Sequence, residues 1–117
     1  NASYGQSGGG MHSTIEDLGI WAASLSGSSL LSDELAQARQ DWHDIGAGVF
    51  EYGLGLRTFG NVIGHEGEAI GWEAWAGHNP ETGVTVVLAT NGCSVGEDLL
   101  LAAGGLEPDL MDALFGA

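Results

Sequence analysis

The chain has 117 residues, enough for one small domain with a modest core. Sixteen Asp and Glu stand against two basic residues, Arg39 and Arg57, for a net charge of −14. This argues against nucleic-acid and anionic-membrane partners, which need clustered Lys and Arg, and no run of about 18 apolar residues is present to span a bilayer. A single cysteine, Cys93, excludes an internal disulfide and a multi-cysteine metal site. The histidines His12, His43, His65 and His78 are scattered, and none has the i, i+4 spacing of a helical zinc motif. No metal or other cofactor is expected. There is no signal-peptide pattern, and a start at Asn1 fits a processed or excised piece.

In chain order, residues 1–10 form a Gly/Ser-rich loop without periodicity. Ser13-Thr14-Ile15-Glu16 reads as a capping box with Ser13 as N-cap. Ile15, Leu18, Trp21, Ala22 and Leu25 recur at helical spacing, which predicts a helix over 14–26 with that stripe, Trp21 included, in the core. Ser32 caps a short predicted helix over 33–40. Residues 41–48 are irregular and contain His43, read as a loop histidine facing water.

Residues 50–58 (FEYGLGLRT) read as a strand, whose glycines require a bend or a close backbone neighbour. Phe59-Gly60-Asn61 then turns the chain into an apolar run starting at Val62, with His65 expected near a strand end. A strand over 72–78, the turn Asn79-Pro80-Glu81-Thr82-Gly83 and a strand over 84–90 make a hairpin. Both strands are apolar on both faces, so helices are expected over both sides of the sheet. Ser94 to Glu97 is a second capping box, opening a helix over 95–103, and a last helix follows over 108–115. The sum is α+β: an antiparallel sheet of three or four strands with helices packed on it, in one partial domain over 1–117.

Several of these motifs occur together in a known family. Gly64-His65-Glu66-Gly67, Gly71, Asn79-Pro80-Glu81-Thr82-Gly83 and Thr90-Asn91 resemble the carboxy-terminal part of the penicillin-recognising serine hydrolases. These are class C β-lactamases, serine D-Ala-D-Ala carboxypeptidases and related esterases. Residues 8–18, beginning Gly-Gly-Gly-Met-His-Ser-Thr, resemble that family's G-G-M-x-S-T-x-x-D-L stretch, and Tyr52-Gly53-Leu54-Gly55 resembles its Y-G-L-G-W strand. The resemblance covers nearly the whole chain, but only about the last third of the family's domain.

The resemblance implies acyl transfer to water through an acyl-enzyme, an extracytoplasmic location and a small acyl substrate: an ester, a peptide or a β-lactam. It assigns the third motif to His65-Glu66-Gly67. His65 would bind substrate or tune the proton relay. Gly67 would let substrate backbone approach. The amide N–H of Glu68 would supply one of two oxyanion donors. Glu66 and Glu68, read as two acids on the substrate rim beside His65, would repel an anionic substrate and leave room for a neutral ester.

The first motif, Ser-x-x-Lys, carries nucleophile and base, and a chain without Lys cannot contain it. The Tyr-x-Asn motif is missing too. The chain is therefore expected to complete a serine hydrolase whose nucleophile lies on a missing upstream segment, with that segment or a second copy covering its open apolar face. The alternative is a non-catalytic relic or binding module that kept the sheet.

Overall fold

The computed structural model describes residues 6–27, 29–45, 51–69 and 71–92. The helices expected over 95–103 and 108–115, the Ser94 cap and Cys93 lie outside them. Three helices come first: α1 (Gln6–Gly9), α2 (Ile15–Ser24) and α3 (Asp33–Arg39). Six strands follow: β1 (His43–Asp44), β2 (Glu51–Tyr52), β3 (Arg57–Phe59), β4 (Val62–Ala69), β5 (Trp72–His78) and β6 (Thr85–Thr90). They form one antiparallel sheet in sequential order, β1 to β6.

This is an α+β arrangement with six strands rather than three or four. The difference arises at residues 41–58. Gly55 takes a left-handed φ of +71°, which only glycine adopts without strain. The predicted single strand therefore splits into β2 and β3 around a tight turn, closed by Gly53 N–H donating to the Leu56 carbonyl at 2.9 Å. β2 in turn pairs with His43 and Asp44, which turns part of the irregular stretch into β1.

Other local details differ as well. The Gly/Ser-rich segment contains one helical turn, α1, closed by Gly10 N–H on the Gln6 carbonyl at 3.1 Å. Thr14, not Ser13, caps α2: its hydroxyl accepts from Asp17 N–H at 3.1 Å, while Ser13 donates to the Thr14 carbonyl. The three-residue reach needed to meet an N3 amide favours Thr14 once the helix begins at Ile15. Ser32 caps α3 as expected, accepting from Leu35 N–H at 3.3 Å. The α2 stripe narrows to Ala22 and Leu25, and Trp21 is exposed with the Arg39 guanidinium over its ring, 5.9 Å from the centroid.

α2 packs against β5 and β6. Leu25 at its C-cap meets Leu56 and Ile63 in a small buried cluster, with Trp42 against it. Among the described residues this places helical cover on the face of the sheet that carries Ile63.

The β5–β6 hairpin is built by its turn. Asn79 is buried, and its Oδ1 accepts from the amides of Glu81 at 2.9 Å and Thr82 at 3.2 Å. Gly83, at φ +74°, donates to the Asn79 carbonyl at 2.8 Å. This is an Asx turn closed by a left-handed glycine. Asn79→Ala should lower stability by about 1–3 kcal/mol, the magnitude for removing a buried acceptor from two donors. Denaturant unfolding checks this: an unchanged midpoint would show that the turn does not set the hairpin.

Candidate active site

β4 is the central element of the site. His65 sits in its middle rather than at its end, directly opposite Ala76 of β5. β3 pairs with β4 only through Arg57–Gly64, Thr58–Ile63 and Phe59–Val62. From His65 to Ala69, the β3 side of β4 therefore has no strand partner among the described residues. An extended backbone can add along such an edge.

The two glycines of the motif differ physically. A Cβ on Gly64 would run into the Ala76 carbonyl oxygen and stand 2.7 Å from Gly77 Cα, so the fold itself requires glycine there. A Cβ on Gly67 would meet nothing within 4 Å among the described residues. The packing of the described residues does not explain that glycine.

Side chains alternate across a strand, so His65 and Gly67 share one face, and Glu66 and Glu68 the other. Glu66 forms an ion pair with Arg57, both side chains being largely buried. Glu68 stands directly opposite the buried Glu73 on β5. Glu66 Oε2 and Glu73 Oε1 are buried without a hydrogen-bond partner among the described residues. The negative charge of this strand thus gathers on the face away from His65, partly answered by Arg57. By this alternation the Glu66 and Glu68 side chains leave β4 on the opposite face from the His65 side chain.

His65 is half-buried and engaged at both ring nitrogens. Nδ1 donates to the Glu66 carbonyl, and Nε2 faces the Tyr52 hydroxyl at 2.5 Å. The Tyr52 and His65 rings meet edge to face, 5.5 Å between centroids at 86°. Sequence reasoning gave Tyr52 no role beyond its strand. Its contact with His65 is long-range and has no local signature. The available signal was the pairing of two β-rich runs, residues 50–58 containing Tyr52 and the run from Val62 containing His65.

The remaining histidines are elsewhere. His12 is exposed, His43 is exposed beside Asp41 at 3.6 Å, and His78 bonds Thr85 across the β5–β6 hairpin at 2.8 Å.

The described residues thus form an antiparallel sheet with α2 packed on it and His65 and Gly67 along β4. The family model described as Beta-lactamase matches residues 1–104, and the chain belongs to that family. Comparison with curated proteins gives no match. Family membership indicates serine hydrolase-type function for the domain.

Proposed function

We propose that the chain supplies the third-motif strand of a serine hydrolase acting by acyl transfer, with nucleophile and base on a Ser-x-x-Lys segment outside this sequence. His65 orients substrate or tunes the proton relay, Gly67 admits the substrate backbone, and the Glu68 amide is one oxyanion donor. The observation that carries this reading is that, among the described residues, β4 has no strand partner on its β3 side from His65 to Ala69 and nothing lies within 4 Å of a Cβ placed on Gly67.

The substrate is a small acyl compound: an ester, a peptide or a β-lactam. The Glu66 and Glu68 carboxylates occupy the other face of β4, so electrostatic repulsion no longer favours a neutral ester over an anionic β-lactam or peptide.

Gly67→Val tests the reading in the chain joined to a Ser-x-x-Lys segment. Among the described residues there is room for the side chain, whereas a substrate backbone lying along β4 would meet it. The melting temperature should hold while turnover of a p-nitrophenyl ester falls roughly a hundredfold, as expected for misplacing a substrate at the reacting centre. Full turnover in a folded Gly67→Val protein would remove this strand from the site.

Among the described residues Ile20, Leu54 and Trp72 are exposed, at 71%, 70% and 61%. Self-association, or cover by the upstream segment, fits these residues. Light scattering should give a mass above the 12.0 kDa of one chain. A monomer that unfolds cooperatively would favour the alternative, a self-sufficient module without catalysis.

A further inference from the structure

We propose that Tyr52 is a positioning residue for His65, fixing which ring nitrogen carries the hydrogen and where the other one points. The inference rests on the reading of His65 as a site residue, but its geometry stands separately. The Glu66 carbonyl can only accept, so the hydrogen of the imidazole is on Nδ1. Nε2 is then the acceptor for the Tyr52 O–H at 2.5 Å. A histidine free in water favours the opposite tautomer, so this one is imposed by its two partners.

Tyr52 is itself held from several directions. Its backbone pairs with His43 of β1 and Arg57 of β3. The next residues are pinned too. Gly53 N–H bonds the Leu56 carbonyl at 2.9 Å, and Leu54 N–H bonds the Arg39 carbonyl at the end of α3 at 3.0 Å. Gly53 lies so close to that same carbonyl and to the Trp42 ring, 3.2 Å from a Cβ position, that no larger residue fits. The phenol is thus delivered to His65 by a turn that α3 and Trp42 clamp in place.

One functional consequence follows. Both ring nitrogens of His65 are engaged within the chain, so a substrate or nucleophile oxygen reaches Nε2 only by displacing the Tyr52 hydroxyl. Otherwise it can donate to the phenolic oxygen, whose lone pairs remain able to accept once its hydrogen is given to Nε2. In either case Tyr52 sets the hydrogen bond that the site offers.

The test is a long-range proton–nitrogen correlation spectrum of the ¹⁵N-labelled chain at mildly alkaline pH, with exposed His12 and His43 as internal references. His65 should show a protonated-type Nδ1 and an unprotonated-type Nε2, unlike the mixed tautomers of His12 and His43. A nuclear Overhauser contact should join its ring to that of Tyr52. In Tyr52→Phe the two His65 nitrogen resonances should move toward each other while the amide spectrum stays folded. Unmoved resonances in a folded Tyr52→Phe chain would overturn the proposal. So would a wild-type His65 that matches His12 and His43, a result that needs no variant to fold. Neither outcome depends on turnover. A failed Gly67→Val test beside a confirmed tautomer would sink the hydrolase reading and leave the Tyr52–His65 pair standing.

Discussion

Gly64→Ala is expected to disrupt the sheet that carries the site. The added methyl would collide with the Ala76 carbonyl oxygen and crowd Gly77 Cα at 2.7 Å. Both obstacles are backbone atoms of the neighbouring strand, directly across the Gly64–Gly77 pair, so no side chain can swing aside. The β4–β5 ladder would have to separate near its Ile63–His78 end. Overpacking typically costs about 1–3 kcal/mol and more where nothing can yield, so about 3 kcal/mol is the expected loss, a large share of the roughly 5–15 kcal/mol that holds a small domain together. Chemical unfolding of the variant should show a clearly lowered midpoint. Gly67→Val, three residues on, should leave the midpoint unchanged. Equal effects at the two glycines would mean that the space beside Gly67 is filled by the protein itself.

The second large effect concerns catalysis. An acyl-enzyme needs a nucleophile held beside a base, with donors aimed at the oxyanion. None of the serines in this chain is followed three residues later by Lys. Ser32 caps α3, and Ser13 donates to the Thr14 carbonyl. Losing nucleophile and base together removes on the order of a millionfold in the best-studied triad. The chain alone should therefore hydrolyse neither a chromogenic cephalosporin nor a p-nitrophenyl ester above buffer. With a Ser-x-x-Lys segment supplied, turnover should appear, and His65→Ala should then lower it by about a hundredfold or more, the usual weight of a proton-transfer group. The fold should survive, because His65 is half-buried and lies outside the Leu25–Leu56–Ile63 cluster. Unchanged turnover in His65→Ala would take the histidine out of the mechanism.

The elements legible in the sequence were those whose signals are local. β5 spans the predicted residues 72–78, and the Asn79-to-Gly83 turn builds its hairpin from the two residue types that mark it, an Asx acceptor and a left-handed glycine. Ser32 opens α3 for the same reason. What escaped depends on partners distant in sequence. The 50–58 run has strand composition throughout, but Gly55 can take a left-handed φ that composition does not reveal, and the chain folds back there. Trp21 sits on the helical stripe, yet the stripe is wider than the surface α2 covers, so the ring stays outside under Arg39. At the site, the Gly-His-Glu-Gly spacing pointed to β4, and strand alternation then separates what sequence proximity had joined: Glu66 turns to Arg57 and His65 to Tyr52.

The most direct test of the proposed role is labelling with a reporter-tagged penicillin, read by intact and peptide mass spectrometry. The 117-residue chain alone should stay at its unmodified mass. With a Ser-x-x-Lys segment joined or added in trans, one adduct should form, and it should map to the serine of that segment. A stoichiometric adduct on the chain by itself would contradict the account, because it would place the nucleophile among residues read here as caps, turns and strand.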